Sequence, residues 1–132
     1  MPFFGDRKKK AILIVDDDVS VRTMLGMLFQ SQEYEVLEAS SGDQGVRLAI
    51  ERLPDAIILD VMLPQMSGFE VLGLLRADEK LAKTPIVMCT ARDTLDDVER
   101  CLSAGANDYI QKPFDLKTVL WKMQKLISPA QP

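Results

Sequence analysis

Asp16, Asp17, Asp60, Thr90 and Lys112 are the residues of this chain whose types and placement could do chemistry together. Each stands at or just past the end of a short run. Ala11-Ile12-Leu13-Ile14-Val15 leads to Asp16-Asp17, Asp55-Ala56-Ile57-Ile58-Leu59 to Asp60, Pro85-Ile86-Val87-Met88-Cys89 to Thr90-Ala91, and Asp108-Tyr109-Ile110-Gln111 to Lys112-Pro113. Continuously apolar runs of this length read as strands buried on both faces. A charge inside such a strand costs several kcal/mol unless it is paired, so a carboxylate belongs at the tip, facing solvent, a cation or a substrate. Taken alone, Asp60 could simply hydrogen-bond the turn that follows it. Three carboxylates about 5 Å apart, however, repel by roughly 3 kcal/mol per pair at an effective dielectric of about 20. They call for a hard divalent cation with oxygen ligands. Lys112 adds a second positive point for an anion, and the Thr90 hydroxyl with the Ala91 N–H are donors of the kind that hold phosphoryl oxygens. A carboxylate nucleophile, a metal, an ammonium and a hydroxyl are together what phosphoryl transfer to an aspartate requires.

The rest of the chain must bring these tips to one rim. Between the runs lie stretches of helical period: Val21, Met24, Leu25 and Leu28 after an Asp18 cap; Val46, Ala49, Ile50 and Leu53; Val71, Leu72, Leu74 and Leu75; Leu95, Val98, Cys101 and Leu102; and Leu116, Val119, Leu120, Met123 and Ile127 after Asp115. Ser41 with Gln44 and Ser67 with Glu70 have the spacing of capping boxes. A second strand is expected over Tyr34 to Ala39, a polar connection over Asp78 to Lys83, and a helix stop at Gly105. Strand and helix thus alternate five times with short connections. That predicts an α/β protein with a doubly wound parallel sheet and helices on both faces, the reactive edge lying at the C-terminal ends of its strands.

Size and composition narrow the function. At 132 residues one domain is expected, spanning 11–127, with a lead-in over 1–10 and a linker-like tail over 128–132. A net charge of −4 predicts neither a nucleic-acid surface nor a membrane surface. The chain has no histidine, which excludes His-based acid–base chemistry, His metal ligands and a phosphohistidine carrier. Cys89 and Cys101 read as buried small hydrophobes in a reducing, cytoplasmic setting. The aromatics of Met1-Pro2-Phe3-Phe4 precede the basic run Arg7-Lys8-Lys9-Lys10, which is not the order of a signal peptide, and no apolar stretch reaches membrane-spanning length.

Along the chain stand Ile12 to Asp18, Asp60 with Pro64 and Gly68 after it, Thr90-Ala91, Gly105-Ala106 leading to Tyr109, and Lys112-Pro113-Phe114. In that order, residues 11–127 resemble the receiver domain of two-component response regulators, of the single-domain chemotaxis-regulator kind. The resemblance implies a flavodoxin-like (βα)5 fold with strand order 2-1-3-4-5. It implies that Asp60 is the phosphoacceptor. Mg²⁺, with Mn²⁺ as an alternative, would be bound by Asp17, Asp60 and the Met62 backbone carbonyl, with Asp16 acting through water. Lys112, Thr90 and the Ala91 N–H would bind the phosphoryl group, Thr90 and Tyr109 would form the switch, and the Lys112–Pro113 peptide would be cis. The resemblance also implies that Met62 and Arg92 fall at positions that vary in the family and would tune dephosphorylation.

The function so implied is that of a phosphoacceptor switch rather than an enzyme. A sensor histidine kinase or phosphotransfer protein would supply the phosphoryl group. A downstream protein would dock on the fourth helix, fifth strand and fifth helix, with the chain either monomeric or a phosphorylation-dependent homodimer. Trp121 either packs over aliphatic stems or joins that partner surface. The chain works alone or is part of a longer regulator with a DNA-binding or enzymatic output. Two readings of other classes compete. An aspartyl-phosphate phosphatase or phosphotransferase of the haloacid dehalogenase kind would carry D-x-D-x-T, where this chain has Asp60-Val61-Met62-Leu63-Pro64. A flavin-binding module would need a phosphate loop, where Asp16-Asp17-Asp18 would repel a phosphate.

Overall fold

The computed structural model describes residues 9–91 and 95–127. The elements alternate as expected: β1 (Ala11–Val15), α1 (Val19–Ser31), β2 (Glu35–Ala39), α2 (Gly42–Arg52), β3 (Ala56–Asp60), α3 (Gly68–Ala77), β4 (Ile86–Thr90), α4 (Leu95–Ser103), β5 (Asp108–Gln111) and α5 (Leu116–Ile127). All five strands pair in parallel, in the order β2-β1-β3-β4-β5. The register sets Val15 beside Leu59, Asp60 beside Cys89, and Thr90 beside Gln111.

Because successive strand side chains point to opposite faces, each buried strand feeds two cores. Leu13, Val15, Ile57, Leu59, Ile86 and Met88 pack against Ala49 of α2, Val71, Leu72 and Leu75 of α3, and Cys101 of α4. On the other face Ile12, Ile14, Ile58, Val87, Cys89 and Ile110 pack against Leu25 and Phe29 of α1 and Val119, Met123 and Ile127 of α5. Phe29, fully buried, carries an edge-on contact to Tyr34 with ring centroids 5.8 Å apart. It was absent from the expected stripe of α1, although burying such a side chain contributes about 2–3 kcal/mol.

Several helix residues expected to face inward do not. Met24, Ile50, Leu53, Leu74 and Leu102 are all exposed. The reason is clearest in α2, whose buried stripe is Gly42, Gly45 and Ala49. This helix lies so close to the sheet that a Cβ on Gly45 would come within 2.9 Å of the Val15 side chain. The small residues make the contact, and the larger Ile50 is rotated out.

The cap chemistry is also partly different. In α3 the box is reciprocal: Ser67 Oγ accepts from the Glu70 N–H at 3.2 Å and Glu70 Oε1 from the Ser67 N–H at 3.1 Å. In α2 it closes one residue early. Ser41 Oγ accepts from the Gln44 N–H, but Gln44 Oε1 takes the N–H of Ser40, at 2.8 Å. Asp18 and Asp115 cap α1 and α5 as expected, accepting from the N–H groups of Ser20 and Lys117. Gly105 ends α4 with φ +112°, in the left-handed region.

The expected polar connection hides two structural residues. Leu81 is fully buried in the α2–α3–α4 core. Arg76, at the end of α3, donates to the carbonyls of Leu81, Ala82, Thr84 and Gly105 and to Asn107 Oδ1, at 2.7–3.3 Å. Asn107 Oδ1 also accepts from the Ile86 N–H, so one guanidinium ties the starts of β4 and β5 to α3.

Candidate functional site

β1 and β3 are neighbours, so the residues after Val15 and at the end of β3 share one rim. The carboxylates of Asp16, Asp17 and Asp60 meet there, each offering an oxygen within 4.8 Å of the others. Asp16 and Asp60 are buried, at 2% and 4% exposure, and Asp17 faces solvent. Such a cluster has the charge, donor type and spacing of a divalent-cation site that keeps part of its water shell.

Lys112 follows β5 and turns its ammonium into the cluster. Its Nζ lies 2.9 Å from Asp16 Oδ2 and 3.3 Å from Asp60 Oδ2. Burial works against this ammonium, but its bond to Asp16 and the charges of Asp60 and Asp16 outweigh burial, and its pKa is raised. The Asp60 pKa is raised as well, which for a carboxyl disfavours the charged form. Burial and then the charge of Asp16 push its pKa up to about 6, against the pull of Lys112 and of the Met62 N–H. That N–H donates to Asp60 Oδ1 at 3.2 Å. Asp60 thus has one oxygen on the backbone of the following turn and one on Lys112. Both the capping role and the pairing role read from its sequence position are present in the same carboxylate.

The turn after Asp60 is tightly built. Gly68 opens α3 and its N–H bonds the Val61 carbonyl at 2.9 Å. A Cβ there would fall 2.2 Å from the Asp60 carbonyl oxygen and 2.8 Å from the Val61 Cα. Only glycine lets the helix start against the backbone of the strand tip.

Thr90, the last residue of β4, is 4% exposed. With Ala91 it lines a cleft of about 400 Å³ walled by Val61, Met62, Phe69 and Cys101, with Arg100 stacked 4.0 Å above the Phe69 ring. Tyr109 is half-buried on β5, and its ring and carbonyl are taken up by α5. Lys122 Nζ lies 4.7 Å from the ring centroid and donates to the Tyr109 carbonyl at 2.7 Å, while pairing with Asp108 at 3.2 Å. The Lys112–Pro113 peptide is cis. Arg92 falls outside the described residues, as do Arg7, Lys8 and the tail 128–132. Trp121 is exposed on α5 with the Lys125 ammonium 4.5 Å over its ring, a cation–π contact within the helix.

Cys89 and Cys101 are buried free thiols. Burial pushes the Cys89 pKa up to about 12, with Asp60 and Asp16 adding to the rise and Lys112 opposing it, which makes it a poor thiolate. One contributor to the site went unread in the sequence. Arg22 NH1 donates to the Asp16 carbonyl at 2.7 Å. Its signal was a cation in the second turn of α1, near the positive end of the helix dipole, where a charge of that sign needs a partner elsewhere.

Comparison with known proteins agrees with this geometry. The response regulator receiver domain family matches residues 12–124. The DNA-binding dual master transcriptional regulator RpaA of Synechocystis is 38% identical over 116 residues, 88% of this chain and 48% of that protein. Among solved structures, the chemotaxis protein CheY4 of Vibrio cholerae superposes with a TM-score of 0.85 at 32% identity, covering 89% of this chain and 98% of that one. The receiver domain of the sensor histidine kinase PA1611 from Pseudomonas aeruginosa, solved with a magnesium ion coordinated in its active-site cleft, gives 0.83 at 34% identity, covering 90% and 98%. This chain belongs to the response regulator receiver domain family, the signalling-switch module of two-component systems. It spans about half the length of curated relatives such as RpaA. No helix among the described residues is long and apolar enough to cross a membrane.

Proposed function

We propose that Asp60 accepts a phosphoryl group from the phosphohistidine of a partner kinase or phosphotransfer protein, and that the acylphosphate so formed changes the protein contacts of the chain. The observation that carries this reading is the meeting of Asp16, Asp17 and Asp60 within 4.8 Å, with Lys112 bonded to two of them. In the transfer an Asp60 oxygen attacks phosphorus, an O–P bond forms, the N–P bond breaks, and the imidazole of the donor leaves with the electron pair. A dissociative transfer of this kind needs positioning and charge neutralisation more than covalent help. Lys112 is placed to exchange a carboxylate partner for a phosphoryl oxygen. Thr90 and the Ala91 N–H border the cleft beside it and are suited to hold others.

Asp17, Asp60 and the Met62 carbonyl, with Asp16 through water, would hold Mg²⁺. The ion's chemistry is to neutralise the phosphoryl oxygens and the crowded carboxylates. The PA1611 receiver, with its coordinated magnesium, supports this choice of ion. Thr90 and Tyr109 are proposed to carry the change outward, to a partner surface on α4, β5 and α5. The Lys122 contacts describe the state from which Tyr109 would move. The cytoplasm is the proposed compartment.

Acetyl phosphate or phosphoramidate with Mg²⁺ should add about 80 Da to the wild-type chain and nothing to Asp60→Asn. Equal labelling of the two would remove Asp60 from this role. Turnover of p-nitrophenyl phosphate at an enzymatic rate would favour a phosphatase instead.

A further inference from the structure

Asp16 is the most completely held residue of the rim. Its N–H donates to the Ala39 carbonyl at 3.0 Å, Oδ1 accepts from the Asp18 N–H at 2.9 Å, and Oδ2 pairs with Lys112 at 2.9 Å. Its carbonyl, the oxygen of the peptide that joins it to Asp17, accepts from Arg22 NH1 at 2.7 Å. The same guanidinium gives its Nε to Glu38 Oε1, at 3.1 Å, from the neighbouring strand β2. The Arg22 side chain is only 15% exposed, against 46% for Glu38. A half-buried cation that bridges a backbone oxygen and a carboxylate is a clamp on that peptide, since a planar fork fixes direction as well as distance.

Asp17 depends on that clamp. Its exposed carboxylate has no hydrogen bond to any other described residue, so its aim toward Asp60 is set by the backbone that carries it. We infer that Arg22, with Glu38 as its counter-ion, is a positioning residue that fixes the Asp16–Asp17 peptide and so aims Asp17 as a ligand for a divalent cation. The inference rests on the reading of the acidic cluster as a Mg²⁺ site. Outer partners of metal ligands commonly control affinity in this way, although they never touch the ion.

Charge and positioning predict opposite signs, which makes the claim testable. By Coulomb's law alone, removing a nearby cation should tighten Mg²⁺ binding. If Arg22 acts as a clamp, its loss should weaken binding. Calorimetric titration of the full chain with Mg²⁺ should show Arg22→Ala weaker than wild type by about tenfold. Arg22→Lys, which keeps the charge and one donor, should fall between the two and serves where the alanine variant does not fold. Unfolding in EDTA gives the metal-free stability of each variant, which a merely structural arginine would lower without changing the affinity of the folded protein. Wild-type affinity or tighter in Arg22→Ala, or in Arg22→Lys where alanine does not fold, overturns the inference alone. A wild type that binds no Mg²⁺ at millimolar concentration overturns the site reading and the inference with it.

Discussion

Lys112 Nζ and Asp60 Oδ2 are 3.3 Å apart, and this ion pair does not fully offset the burial of Asp60 beside Asp16. The net effect of burial, the Asp16 charge and Lys112 is a carboxyl whose pKa stands at about 6 instead of 3.8. Ionising it therefore costs the folded state. The cost is absent below about pH 4, grows as the pH rises toward 6, and is complete above that. Asp60→Asn should accordingly stabilise the metal-free protein by about 1–2 kcal/mol near neutral pH, after allowance for solvent screening, and by much less near pH 4. Urea unfolding at the two pH values measures it; a stability gain independent of pH would mean that Asp60 ionises normally.

Mg²⁺ should relieve the same cost. Only the folded chain gathers the three carboxylates, so saturating Mg²⁺ should raise stability by about 1–3 kcal/mol. The gain should shrink near pH 5, where a protonated Asp60 competes with the ion. A melting temperature indifferent to millimolar Mg²⁺ near neutral pH would disprove cation binding at this cluster.

Gly68→Ala tests the packing beneath the site. The added methyl would stand 2.2 Å from the Asp60 carbonyl oxygen, against backbone that cannot give way locally. A destabilisation of about 3 kcal/mol or more is expected, with slower labelling of Asp60 by acetyl phosphate. A variant as stable and as reactive as wild type would show that α3 can start elsewhere.

Arg76→Ala should separate stability from chemistry. It strands buried carbonyls of Leu81 and Thr84 and frees Asn107, so a loss of about 2–3 kcal/mol is expected. Its partners lie at the starts of β4 and β5, the opposite end of the sheet from Asp60, so labelling of the folded fraction should be unchanged. A slowed labelling rate would reveal a coupling between the two ends.

The fold was legible because β1, β3 and β4 are apolar runs and carboxylates sit where β1 and β3 stop. Asp16, Asp17, Asp60 and Lys112 could be named for the same reason: a buried parallel strand leaves a charged side chain no other place. What could not be read was how α2 meets the sheet, and which apolar residues of α1, α3 and α4 face away, whereas Val119, Met123 and Ile127 of α5 are buried as expected. Leucine and methionine suggest core by type, yet α2 packs through Gly42 and Gly45, and Met24, Leu74 and Leu102 face out. Arg22 and Arg76 were hidden for another reason. Their acceptors are mostly main-chain carbonyls, and a carbonyl has no residue type to announce it.

The two cores on either side of β3 decide where a strain applied at Asp60 can go. Ile57 and Leu59 are wedged into one core and Ala56 and Ile58 into the other, with β1 and β4 fastened along both edges. Mechanically, Asp60 stands at the end of a beam buried along its whole length. A bulky anion attached there cannot drive the beam backward, so the recoil must be taken by the loops of the rim. A strand so held would act as an anvil, and a change at Asp60 would leave through what surrounds it.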